Sequence, residues 1–88
     1  MTMQSRIEAK LSQGLQPTML RVDDESSQHA GHSGARPGGQ THFRVAIQAA
    51  AFAGKTKVQR HRLVYGLLEE EFSQGVHALA LQTLAPGE

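Results

Sequence analysis

Between His42 and Thr83 the hydrophobic pattern changes period twice, and that change fixes most of what the chain can become. Over His42–Ala49, Phe43, Val45 and Ile47 alternate with His42, Arg44, Ala46 and Gln48, the two-residue period of a strand with one packed face and one open face. From Thr56 to about Gln74 the period becomes helical. Leu63, Val64, Leu67, Leu68 and Phe72 form one stripe, Gly54 stands at the turn before it, and Gly75 ends it. Alternation then returns over Val76–Thr83, with His77, Leu79 and Leu81 on one face and Ala78, Ala80 and Gln82 on the other. A helix between two strands acts as a crossover, so these two strands are predicted to lie parallel.

The N-terminal part adds a helix and a strand. Met3, Ile7 and Leu11 recur at helical spacing, with Thr2 as the predicted cap and Gly14 as the predicted stop before Pro17. Met19–Asp24 reads as a short strand, Leu20 and Val22 on one face. Residues 25–41 hold Ser, Gly and His and no large apolar side chain, which predicts a long flexible loop. Residues 84–88, with a Pro and a Gly, are predicted to fray. The chain has 88 residues, enough for one domain spanning 1–88. The predicted fold is α+β, order α-β-β-α-β, with a three-stranded mixed sheet covered by helices on one face.

Composition narrows the chemistry. The formal net charge is +1, so no overall field draws the chain onto nucleic acid and any such binding needs a local patch. Lys55, Lys57, Arg60 and Arg62, at the start of the long helix, form such a patch; Arg36 and Arg44 would add to it if the loop folded back. Three glutamates, Glu69–Glu71, follow on the same helix and offset its field. Glu71 falls near the middle of the apolar stripe and so needs a partner; Arg60 or a backbone group are the alternatives. There is no cysteine, hence no disulfide, thiolate nucleophile or sulfur ligand. No apolar run is long enough to cross a bilayer and residues 1–13 lack a secretory signal's apolar segment, so the expectation is a cytoplasmic protein. The residues offer no Ser-His-Asp order, phosphate loop or paired-acid site, and the Gly-rich run Gly31–Gly39 does not open a helix. A non-enzymatic role is therefore expected.

The segments His42-Phe43-Arg44-Val45, Val58-Gln59-Arg60-His61-Arg62-Leu63-Val64-Tyr65 and Gly75-Val76-His77-Ala78-Leu79-Ala80, with Asp24-Glu25-Ser26 before them, resemble the BolA family. The match runs from the first helix to the last strand. The resemblance implies a fold like a type II KH domain, though no G-x-x-G nucleotide clamp stands between two helices here. It implies association with a monothiol glutaredoxin, a part in iron–sulfur cluster trafficking or iron homeostasis and, as in some bacterial members, binding of duplex DNA and transcriptional regulation.

The resemblance also implies metal ligands. In the family the His of the last strand ligates a shared [2Fe–2S] cluster, which points to His77. The second ligand comes from the long loop, where His29 matches the position and His32 is the alternative. The chain thus resembles the His-type subgroup. A two-iron cluster needs four terminal ligands, and imidazole replaces thiolate on one iron in Rieske centres. A chain without cysteine cannot complete that set, so a glutaredoxin cysteine and glutathione are expected to supply the sulfur. By itself the chain is expected to be a monomer or weak homodimer, with no membrane association. His42, on the open face at the start of its strand, reads as a structural or surface residue, and His61 as one that packs or hydrogen-bonds within the helix.

Overall fold

The computed structural model describes residues 2–25 and 42–88; His29, His32 and Arg36, and with them the loop prediction, lie outside the described residues. The elements are α1 (Met3–Leu15), β1 (Met19–Asp24), β2 (His42–Gln48), a 3-10 turn (Ala50–Phe52), α2 (Lys57–Leu67), α3 (Glu69–Ser73) and β3 (Ala78–Leu84). The sheet has the order β1-β2-β3. β1 pairs antiparallel with β2, and β2 pairs parallel with β3, as the crossover requires.

Both periodicities find their partner surfaces. Met3, Ile7 and Leu11 of α1 meet Val22, Phe43, Val45 and Ile47 of the sheet and Val64 and Leu68 of the second helical segment in one core. Phe52, fully buried, anchors the 3-10 turn. Leu79 and Leu81 pack on this core from β3, while Arg21, Arg44, Ala80 and Gln82 lie on the opposite face of the sheet, which no described helix covers.

Several boundaries differ from the sequence reading, each for a local reason. The Thr2 side chain caps α1 by accepting from the Ser5 amide at 3.1 Å. Gly14, predicted as the stop, lies inside the helix; Gln16 ends it in the left-handed region at φ 47° and donates its amide to the Ser12 carbonyl. What position 14 requires is room: a Cβ there would sit 2.7 Å from Leu67 Cδ1. The long helix breaks at Leu68, whose amide is shared between the Val64 and Tyr65 carbonyls. Its start was legible: Thr56 and Gln59 form a reciprocal capping box. β2 ends at Gln48, and β3 starts at Ala78, so neither Val76 nor His77 belongs to the strand.

Two further expectations are corrected. Arg60 is not the partner of Glu71. The fully buried Glu71 carboxylate receives Arg6 Nη2 at 2.9 Å, and Lys10 Nζ lies 3.3 Å from its other oxygen, both cations coming from α1. Helical spacing within one helix could not show a partner carried by another. Residues 84–88, expected to fray, make specific contacts. Leu84 belongs to β3, Ala85 is buried, and Glu88 closes a two-pronged pair with Arg60 at 2.6 and 2.9 Å.

Candidate metal and partner site

His77 sits on a short turn built from both sides. Gly75 takes φ 125°, a conformation that side chains with a Cβ rarely adopt, and Val76 turns into the core. The Val76 amide donates to the Glu71 carbonyl at 3.2 Å. On the other side Ala78 enters the sheet opposite His42. Held between these anchors, His77 escapes strand alternation and its side chain is exposed.

Its neighbour is a residue that the sequence reading took as structural or surface. His42 opens β2, and its carbonyl accepts the Glu25 amide at 2.8 Å. The rings of His42 and His77 stand 5.3 Å apart, centre to centre, tilted by 49°. The signal for this was present. The apolar positions Phe43 and Val45 pair with Leu79 and Leu81, and that register sets a histidine at the mouth of both parallel strands. Among the described residues no group of three or more His, Cys, Asp or Glu is gathered as a metal site. Two imidazoles with no thiolate suit a site that another molecule completes.

The basic patch divides. Arg60 leaves it: its guanidinium donates to the Lys55 carbonyl at 3.0 Å and to Glu88, and its side chain is only 12% exposed. The hydrogen bond from Arg60, with a second from the Ala85 amide and the attraction of the guanidinium, lowers the Glu88 carboxyl from 4.5 to about 2. Lys55, Lys57 and Arg62 stay exposed. Lys55, Gln59 and Arg62 line a shallow depression, and Arg62 also borders a second one with Tyr65, Glu69 and Phe72. Arg44 does not join them; it pairs with Glu25 at 3.0 Å on the open face of the sheet. His61 packs edge-on to Tyr65 at 6.2 Å, as its place in the helix suggested.

A mixed three-stranded sheet with helices on one face, carrying histidines at one end and basic residues at a helix start, defines a small α+β domain of the type II KH-like class. Residues 11–88 match the model of the BolA-like protein family, and the chain belongs to that family. It is 46% identical over 86 residues to the chloroplastic protein BOLA1 of Arabidopsis thaliana, covering 96% of this chain and 54% of that protein. It is 41% identical over 88 residues to the DNA-binding transcriptional regulator BolA of Haemophilus influenzae, covering 100% of this chain and 82% of that one. The solved structure of BolA1 from Arabidopsis thaliana superposes with a TM-score of 0.87 at 41% identity, covering 100% of this chain and 96% of that one. The chain spans about half the length of its chloroplastic relative. Among the described residues no helix is long and apolar enough to cross a membrane.

Proposed function

We propose that the chain is a non-enzymatic partner of a monothiol glutaredoxin and shares a [2Fe–2S] cluster with it, in iron–sulfur cluster trafficking or iron homeostasis. The observation that carries this reading is the exposed imidazole of His77, held on an anchored turn in a chain without a single cysteine. His77 is one ligand, and a loop histidine, His29 or His32, is the other. The partner's cysteine and glutathione supply the sulfur. Such a cluster brings one-electron chemistry, at a potential that imidazole ligation raises. The chain's own part is to present neutral nitrogen donors at a fixed place and to leave the thiolate side to the partner. Mixing the chain with a monothiol glutaredoxin, iron, sulfide and glutathione should give a heterocomplex with visible absorption and circular dichroism. His77→Ala should abolish that spectrum or change its form; an unchanged spectrum rules out the ligand assignment.

A second reading is binding of duplex DNA, favoured by the exposed Lys55, Lys57 and Arg62 and by similarity to a relative named as a DNA-binding regulator. Three phosphate contacts give a slope of log affinity against log salt of about −3. A salt titration with the native chain and with Lys57→Ala checks it: loss of one contact should flatten the slope by about one.

A further inference from the structure

We propose that the exposed side of α2 and α3 is a contact surface for a second copy of this chain, the two copies meeting antiparallel about a two-fold axis near Tyr65 and Gly66. Three large apolar side chains are exposed among the described residues, and two of them, Val58 (59% exposed) and Tyr65 (38%), stand seven residues apart on α2. Phe72, half-buried in α3, follows seven residues after Tyr65. Seven residues are close to two helical turns, so the three lie in one row. The row continues across the break at Leu68, since the Tyr65 and Phe72 rings meet edge-on at 5.4 Å. On its other side Tyr65 meets the His61 ring, also edge-on, at 6.2 Å. A ring held between two others presents its free face with little left to order on binding.

What selects a second copy as the occupant is the match of this surface to itself. Arg62, Tyr65, Gly66, Glu69 and Phe72 line one shallow groove. Arg62 and Glu69 are both exposed, and among the described residues neither is in an ion pair. They stand about 10 Å apart along the helix. In an antiparallel pair, an axis between positions 65 and 66 sets Arg62 of each copy opposite Glu69 of the other. The same axis sets Val58 against the second copy's Phe72, and Tyr65 against the second copy's Tyr65 and Gly66. Two opposite-charge pairs and one apolar seam thus follow from a single rotation, as an isologous contact requires. Gly66 supplies the room. It is helical with no positive φ, so its backbone does not call for glycine, and a Cβ there would meet nothing within 4 Å. Without that Cβ another chain can approach the helix closely. The net charge of +1 leaves little repulsion between copies. The seam spans about 20 Å, at the small end of interfaces, so the dimer is weak and concentration-dependent.

Sedimentation equilibrium on the full chain, from about 10 μM to about 1 mM, tests the contact. The native chain should pass from monomer toward dimer over that range, and added salt should oppose the change. Arg62→Glu and Glu69→Arg should each weaken association by about tenfold or more, because symmetry doubles every like-charge contact. Both side chains are exposed, so both variants should keep the native fold, which circular dichroism checks. An equimolar mixture of the two variants should restore the dimer, since a copy with two carboxylates then faces a copy with two guanidiniums. A native chain that stays monomeric at about 1 mM overturns the proposal. So does a dimer indifferent to both charge reversals, which would place the contact elsewhere, and so does a mixture that stays monomeric. The glutaredoxin reading is decided separately, by the spectrum of the heterocomplex.

Discussion

Two clusters of ionisable groups lie at opposite extremes of burial, and their contrast separates what holds this molecule together from what it offers to others. At the α1–α3 contact, Glu71 is fully buried, Arg6 and Lys10 converge on it, and Arg6 also reaches Glu70 and Gln74. At the sheet end, His42 and His77 meet at the surface with one ring exposed. The first cluster joins elements far apart in sequence. Burying its carboxylate costs several kcal/mol and persists only because the cations are in place. In the second cluster the His77 ring lies at the surface, on a turn that Gly75, Val76 and Ala78 hold in place. Charge enclosed by helices is structural, whereas the exposed ring of His77 stands where a partner can reach it.

The sharpest way to break this contrast is Arg6→Ala. It leaves the Glu71 carboxylate buried with only Lys10 at 3.3 Å. Loss of one partner of a buried pair should cost about 3 kcal/mol, the low end of the known range because Lys10 remains. Urea unfolding measures it, and the visible spectrum of the glutaredoxin complex should survive wherever the variant stays folded. A cost below about 0.5 kcal/mol, the usual size of a surface change, would show that the cluster is not structural.

How legible each cluster was follows from the range of the interactions that build it. The sheet was readable because alternation over Phe43–Ile47 and Leu79–Leu81 is local, and the crossover rule then sets the parallel pairing. Glu71 was recognisable as buried, since helical geometry places it in the stripe. Its partners were not, because Arg6 and Lys10 lie more than sixty residues away. The same limit hid the Arg60–Glu88 pair, which turned a predicted DNA contact into a clamp on the C-terminal residues. His77 was singled out through the family motif, whereas His42 was read as structural or surface and only the register put it beside His77.

A smaller effect is expected where two helices touch without charge. Gly14→Ala adds a methyl 2.7 Å from Leu67 Cδ1. Overpacking costs about 1–3 kcal/mol, and replacing a helical glycine by alanine returns about 1 kcal/mol, so a net loss of about 1 kcal/mol should appear in the unfolding midpoint. A net gain would mean that Leu67 moves aside freely and that the α1–α2 contact is loose.

Smaller again is the clamp made by Glu88. Its carboxyl is lowered to about 2 from 4.5, so the folded state favours the charged form. The stabilisation is complete above 4.5 and is lost as the pH falls through about 2. Glu88→Gln should be less stable than the native chain at neutral pH, and the gap between their urea midpoints should close on acidification across that window. A gap that stays constant with pH would assign the effect to packing of Ala85 rather than to the ion pair.

His77→Ala should have the smallest effect on stability and decides the comparison. The side chain is exposed, and the turn that carries it is fixed by Gly75, Val76 and Ala78 rather than by the ring. The change in unfolding free energy should stay within about 0.5 kcal/mol. The same substitution should remove the visible spectrum of the glutaredoxin complex. A large loss of stability would make His77 a structural residue like Glu71, and the two clusters would then no longer differ in kind. Stability kept while that spectrum vanishes is the signature of a side chain that serves binding alone.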